Sequence, residues 1–275
     1  MSTPSEIDYL FNFKFNLHKS LIPIGIDDHD YDRLKTVYGV SDEWMKQTVE
    51  SIESSNKQHA EMLSSQFDFE KLNKKPIKIV FFGDSITSDR QSYLNILKIA
   101  LQNYKNVQLV DMAISAHKSG DLFTATYPNM IGEHADIAHI MIGTNDVRQI
   151  NDEDRAYHTS PEEYEKNVDY VVSELTKDGT KVILTTIPPY SQDKADKSFV
   201  GCRALFLEES RKLFNSILAW TAEKHGALLN QMDELYAPYT AEELTLTDGI
   251  HLNAIGQDLL AQGVMKSILE LMKSL

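Results

Sequence analysis

Five short apolar runs, Ile77–Phe82, Val107–Val110, Ile137–Ile142, Lys181–Ile187 and Ala227–Leu229, punctuate the chain after Pro76. Most are rich in β-branched or aromatic residues, and each is closed by Gly, Asp, Asn or Pro. Short runs that lack strict polar alternation and stop at turn residues read as strands covered on both faces, the habit of a parallel sheet. Amphipathic stretches separate them, at Ser92–Asn103, Pro161–Lys177, Ala204–His225 and Ala254–Met272. Within the second of these, Tyr164, Val168, Val171, Val172 and Leu175 form one apolar stripe at helical spacing. Ser160 is placed to cap that helix, with Pro161 at its first position. The alternation predicts an α/β fold, a three-layer α/β/α sandwich around a five-stranded parallel sheet with right-handed crossovers. Such sheets bind ligands beyond the carboxyl ends of their strands. Chemistry is therefore sought in the loops after Phe82, Val110, Ile142 and Ile187.

Residues 1–75 differ in texture and are read as an N-terminal extension, with residues 76–275 as the α/β domain. From Tyr9 to Leu17 the aromatic and apolar residues recur mostly at every second position, a half-buried strand. Ile22, Ile24 and Ile26 alternate again, which predicts a hairpin whose second strand Pro23 confines to an edge. A helix is expected from Ser41, with Asp42 and Glu43 in its first turn and sparse apolar positions at Trp44, Ile52, Met62 and Leu63. A segment of this size folds poorly alone, so it is expected to dock on the body or on a second subunit. The aromatic strand would suit a homodimer contact, or could instead line a ligand groove.

Composition removes several classes of function. The 275 residues carry 27 Lys and Arg against 41 Asp and Glu, a formal charge of −14. That balance speaks against a nucleic-acid backbone or an anionic membrane as partner. No apolar run approaches the ~20 residues that a membrane span requires. The N-terminus shows no basic segment followed by an apolar one. The single cysteine, Cys202, cannot form an internal disulfide. Together these features predict a cytoplasmic protein in a reducing compartment. No Gly-x-Gly-x-x-Gly or Gly-x4-Gly-Lys-Ser/Thr motif is present to cradle phosphate, and the Gly-x-Ser-x-Gly elbow is also absent.

Three loops carry reactive side chains. The first strand runs into Gly83-Asp84-Ser85, which offers a hydroxyl at the strand mouth, although Ser85 could equally cap the helix that follows. The third runs into Gly143-Thr144-Asn145-Asp146, where an asparagine amide can meet a developing oxyanion or simply shape a turn. Near the C-terminus stands Asp248-Gly249-Ile250-His251. An aspartate and a histidine at that spacing can share one turn, so the carboxylate reaches Nδ1 and leaves Nε2 facing outward. That supplies a base held in one tautomer, which a serine nucleophile needs.

These blocks resemble the SGNH, or GDSL-type, hydrolases over roughly residues 77–272. Thr185-Thr186-Ile187-Pro188-Pro189 after the fourth strand is similar to the same family. The resemblance implies a flavodoxin-like sandwich. It also implies Ser85 as nucleophile, His251 as base and Asp248 as its orienting partner. The oxyanion donors would be the Ser85 N–H, the Asn145 side chain and one backbone N–H after the second strand. The family reads Asn-x-x-x-Ser-Gly there, whereas this chain reads Asp111-Met-Ala-Ile-Ser-Ala116-His-Lys-Ser-Gly120. Either Ala116 or Gly120 fills the place.

The expectation is an esterase that acts on small acyl esters, with acetyl groups on carbohydrate as the narrower reading and no cofactor or metal. Two alternatives keep the fold: an acyltransferase using the same site, and an interaction protein whose site is idle. Asp84, Asp146 and Asp248 could instead hold Mg²⁺, but Asp248 has a better use beside His251. His134 and His139 miss the spacing of a zinc helix. His117, Arg90 and Arg148 lie close to the motif blocks and are candidates for substrate contact.

Overall fold

A computed structural model describes residues 30–123, 133–198 and 204–273. The alternating segments at Tyr9–Leu17 and Ile22–Ile26, and Cys202, lie outside these residues. Helix α1 (Tyr31–Tyr38) is capped by the Asp30 carboxylate, which accepts from the Arg33 N–H. Helix α2 (Asp42–Gln66) starts at Ser41, whose hydroxyl accepts from the Trp44 N–H at 3.1 Å. A 3-10 helix (Phe69–Lys74) leads into strand β1 (Ile77–Gly83). Then come a single helical turn α3 (Ser85–Ser88), helix α4 (Tyr93–Ala100), and strands β2 (Val107–Asp111), β3 (Ile137–Met141) and β4 (Gln149–Ile150). Helix α5 (Pro161–Lys177), strand β5 (Lys181–Thr185), helix α6 (Gln192–Ser198) and strand β6 (Ala204–Leu205) follow. The chain continues through α7 (Glu208–His225), β7 (Leu228–Asn230) and the short turns α8 (Asp233–Tyr236) and α9 (Ala241–Leu244), to α10 (Ala254–Leu271).

The five principal strands pair in parallel in the order β2-β1-β3-β5-β7. Counted among themselves they run 2-1-3-4-5, the flavodoxin-like order, whose switch point lies between β1 and β3. The strands are covered on both sides, and β1 shows how its sequence divides between them. Val80 and Phe82 face a cluster with Tyr164, Val168 and Val171 of α5 and Phe214 of α7. Ile79 and Phe81 face Tyr93 and Leu97 of α4, Leu260 and Val264 of α10, and Ala60 and Leu63 of α2. Burying each such large apolar side chain contributes about 1.5–3 kcal/mol, so both layers are needed to hold the sheet.

Two local expectations change. The helix anticipated from Ala204 begins only at Glu208. Ala204 and Leu205 instead form β6, antiparallel to β4, with Ala204 and Phe206 buried. A run this short has no distinguishing period, so the available partner decides its conformation. In α2 the buried residues are Met45, Asn56, Ala60 and Leu63, while Met62 is exposed. The helix thus packs a partly polar face against the body, which apolar counting could not reveal.

Candidate active site

Strand β1 delivers Gly83 into a tight corner, where an added Cβ would lie 2.7 Å from the Met141 carbonyl oxygen. Only glycine fits there without movement. Asp84, not Ser85, is the N-cap of α3, and its carboxylate accepts from the Ile86 N–H at 3.0 Å. That leaves the Ser85 side chain out of the capping bond and puts its N–H at the first position of the turn, where no intrahelical acceptor exists. Asp84 is fully buried, and burial raises its pKa to about 6 against the opposing Ile86 N–H.

Ser85 Oγ lies 2.7 Å from His251 Nε2. His251 Nδ1 in turn lies 2.5 Å from Asp248 Oδ2. The other carboxylate oxygen, Oδ1, accepts from the N–H groups of Ile250 at 3.0 Å and His251 at 3.1 Å, so aspartate and histidine share one closed turn. Gly249 makes that turn possible with φ 75°. Its N–H donates to Leu246 O at 3.1 Å and its carbonyl accepts from Ser191 N at 2.8 Å. Burial disfavours a charged His251 ring, yet the Asp248 carboxylate outweighs it, helped by Asp89 and Asp84, and the pKa rises to about 9. All three side chains of the set are nearly buried, at 8% for Ser85, 8% for His251 and 2% for Asp248.

Asn145 follows β3, next to β1 across the switch point. Its Nδ2 donates to the His117 carbonyl at 3.0 Å, which ties it to the loop after β2. That loop is fastened to the end of β1 by Ile114 N donating to Gly83 O at 3.1 Å. It then turns at Ile114–His117, closed by His117 N donating to Ile114 O at 3.2 Å. Ala116 stands in the turn with φ 66°, the left-handed region where glycine is at ease. Gly120 sits elsewhere: a Cβ there would be 3.6 Å from Asn167 Nδ2. Asn167 Nδ2 donates to Ser119 Oγ at 3.0 Å, and Ser119 donates from both N (3.0 Å) and Oγ (2.6 Å) to Asp146. Asp146 is therefore an anchor of the loop, and its pKa is raised by burial in spite of these donors. Among the described residues, no group of three or more His, Cys, Asp and Glu side chains converges in a metal-binding arrangement.

The remaining sequence candidates disperse. His139 is a core residue of β3 between Tyr93 Oη (3.1 Å) and Thr185 Oγ1 (2.7 Å), and burial lowers its pKa to about 3. His134 is exposed, and Arg148 Nη2 lies 3.1 Å from His158 Nδ1. His117 is buried at 4% exposure. Sequence reasoning missed Gln257, whose Oε1 accepts from Tyr93 N at 2.8 Å and whose Nε2 donates to Ile86 O at 3.2 Å. It stitches α10 to the turn that bears Ser85, and nothing in a lone glutamine signals that role.

The model of the GDSL-like lipase/acylhydrolase family matches residues 81–259. No curated protein matches the chain. Among solved structures, the acetyl xylan esterase AlAXEase is similar at 23% identity and TM-score 0.57, over 70% of this chain and 100% of its own. A catalytic mutant of an acetylxylan esterase from Geobacillus stearothermophilus is similar at 21% identity and TM-score 0.57, over 70% and 94%. A lipase/acylhydrolase from Enterococcus faecalis is similar at 22% identity and TM-score 0.56, over 70% and 96%. These likenesses concern the fold. Among the described residues, no helix is long and apolar enough to cross a membrane.

Proposed function

The chain belongs to the GDSL-like lipase/acylhydrolase family and is a hydrolase acting on ester bonds; from that premise we propose that it is a serine esterase of small acyl esters, with Ser85 as nucleophile. The observation that carries the reading is the continuous contact from Ser85 Oγ through His251 to Asp248, at 2.7 and 2.5 Å. A serine hydroxyl is a weak nucleophile until a base stands ready for its proton.

Ser85 Oγ attacks the ester carbonyl carbon while its proton passes to His251 Nε2. Asp248 holds Nδ1 and stabilises the imidazolium. The tetrahedral oxyanion accepts from the Ser85 N–H, Asn145 Nδ2 and a backbone N–H of the β2 loop. We assign that last donor to Ala116, because its turn is bound to Asn145 through His117 O while Gly120 belongs to the Ser119–Asp146–Asn167 anchor. Each donor of this kind contributes about 2.7–4 kcal/mol to the transition state. His251 then protonates the departing alcohol, and a water molecule releases the acyl group by the same route in reverse.

Acetyl groups on carbohydrate are the proposed substrate class. The support is the similarity to acetylxylan esterases. The Geobacillus enzyme has been solved as catalytic mutants at a serine, at an aspartate and at a histidine three positions beyond that aspartate. The same Asp-x-x-His spacing occurs at Asp248 and His251. The test is a p-nitrophenyl ester series from acetyl to long acyl chains, run beside acetylated xylo-oligosaccharides, on the wild type and on Ser85→Ala. Turnover is expected to be fastest with the shortest acyl group, to extend to the oligosaccharide, and to vanish in the variant. Retained turnover in Ser85→Ala would remove that serine from the mechanism. Preference for long chains would refute the substrate class.

A further inference from the structure

The family match begins at residue 81, so α2 lies wholly outside it. One face of this helix nevertheless touches both halves of the site. Asn56 Nδ2 donates to the Arg90 carbonyl at 2.8 Å, and Gln91 Nε2 donates to Ser55 Oγ at 3.4 Å. One turn further, His59 Nδ1 comes within 3.2 Å of Asp258 Oδ1 of α10, with neither atom in a hydrogen bond among the described residues. Arg90 and Gln91 lead directly out of the turn that bears Ser85, whose carbonyl accepts the Asp89 N–H at 2.8 Å. Asp258 stands in the second turn of α10, which is capped by Asn253, two residues after His251. The same face of α2 thus holds the exit from the serine and lies against the root of the helix that follows the histidine.

The chemistry of Asn56 argues for more than docking. It is buried at 4% exposure, and its Oδ1 has no hydrogen-bond partner among the described residues. A buried amide that satisfies one of its two ends costs more than an apolar side chain of similar size, which would pack equally well. What the amide provides, and leucine would not, is a fixed donor for the Arg90 carbonyl. Asn95 Nδ2 grips the same stretch from the body side, at 2.9 Å from Asp89 O and 3.0 Å from Arg90 O. The loop is therefore held between two asparagines, one on each of the packed helices α2 and α4.

We propose that α2 is a positioning element of the active site, with Asn56 as the positioning residue that, through the Arg90 carbonyl, sets the separation of Ser85 Oγ and His251 Nε2. The proposal rests on the reading of Ser85 as nucleophile and His251 as base. Asn56 acts through the backbone segment that leads out of the serine turn, and misplacement by about 1 Å is enough to slow such a reaction by up to ~100-fold.

The test uses the full chain. A fluorophosphonate probe counts reactive serines, p-nitrophenyl acetate gives kcat per labelled site and KM, and thermal unfolding monitors the fold. Asn56→Asp keeps the shape and removes the donor; Asn56→Gln keeps a donor. Asn56→Asp is expected to lower kcat per labelled site about tenfold with KM within about twofold, and Asn56→Gln to recover most of the loss. Wild-type kcat per labelled site in Asn56→Asp, with only the number of sites reduced, would overturn the proposal and leave α2 a structural strut. If Asn56→Asp does not fold, Asn56→Leu, which removes the donor without adding charge, is read by the same criterion, and an unchanged kcat per site there overturns the proposal equally. Equal labelling of Ser85→Ala and wild type would instead refute Ser85 as nucleophile, and the proposal would fall with it.

Discussion

His251 Nε2 meets Ser85 Oγ at 2.7 Å, although the two residues stand 166 positions apart in the chain. Two features make the meeting possible. Strand β1 is an inner strand of the sheet, so the serine emerges near the middle of its carboxyl edge. Gln257 then fastens the start of α10 to the serine turn, through Tyr93 N and Ile86 O.

The pH dependence of turnover should report the Asp248 carboxylate. Burial opposes the charge on His251, but Asp248 overcomes it and sets the pKa near 9, so the neutral base becomes plentiful only as the pH approaches that value. On p-nitrophenyl acetate, kcat/KM should rise through the neutral range, reach half its plateau near pH 9 and level off only above it. A profile flat from pH 6 to pH 10 would contradict this. Stability should move the other way. A histidine whose pKa is raised by folding stabilises the fold fully below its unfolded value of about 6.5, and that contribution disappears as the pH rises through the folded value. Thermal unfolding across the same pH series checks the sign. Asp248→Asn should shift the kinetic limb downward and reduce kcat by about 10⁴-fold.

Ala116 occupies the left-handed region at φ 66°, which costs an L-residue about 1–2 kcal/mol. Ala116→Gly should therefore raise the melting temperature or leave it unchanged, since relief of that strain offsets glycine's extra chain entropy. Activity should persist, because a backbone N–H is retained. A variant destabilised by more than about 1 kcal/mol in urea unfolding would show that the alanine methyl group is needed where it stands.

Asp146 accepts three hydrogen bonds from Ser119 and pins the loop that follows β2. Asp146→Ala leaves the Ser119 N–H and hydroxyl buried without their acceptor, which should cost about 2–4 kcal/mol. The same change should slow turnover, because the loop from Ala116 to Ser119 is released beside Asn145. Chemical denaturation with parallel kinetics reads both, and a fully stable, fully active variant would deny Asp146 its anchoring role.

Gly249 brings Asp248 and His251 into one turn, with φ 75°. A Cβ there would lie 2.8 Å from both Ala195 N and Lys194 Cβ. Gly249→Ala should destabilise the protein by about 2–4 kcal/mol, through backbone strain and overpacking together. It should also lower kcat by opening the short Asp248–His251 contact. Normal melting with normal turnover would show that the loop can rearrange around the methyl group.

Much of this architecture was legible in the chain itself. Ser160 ahead of Pro161, Ser41 ahead of Asp42, and the runs at Ile77, Ile137 and Lys181 specify their elements through contacts within a few residues. Propensity, capping and burial period are local properties, so sequence determines them directly. The pairing of Asp248 with His251 is local in the same sense, because one turn contains both. Tertiary structure decided the rest. The pairing of Ala204–Leu205 with Gln149–Ile150 and the position of Ala116 beside Asn145 both depend on partners distant in the chain. Asn56 is the clearest case. An isolated asparagine on a polar helix reads as solvated, and only the packing of α2 against α4 turns it inward to the Arg90 carbonyl. The reason is physical: the energetic worth of a buried polar group is set by the partner that burial gives it, and that partner here lies 34 residues away.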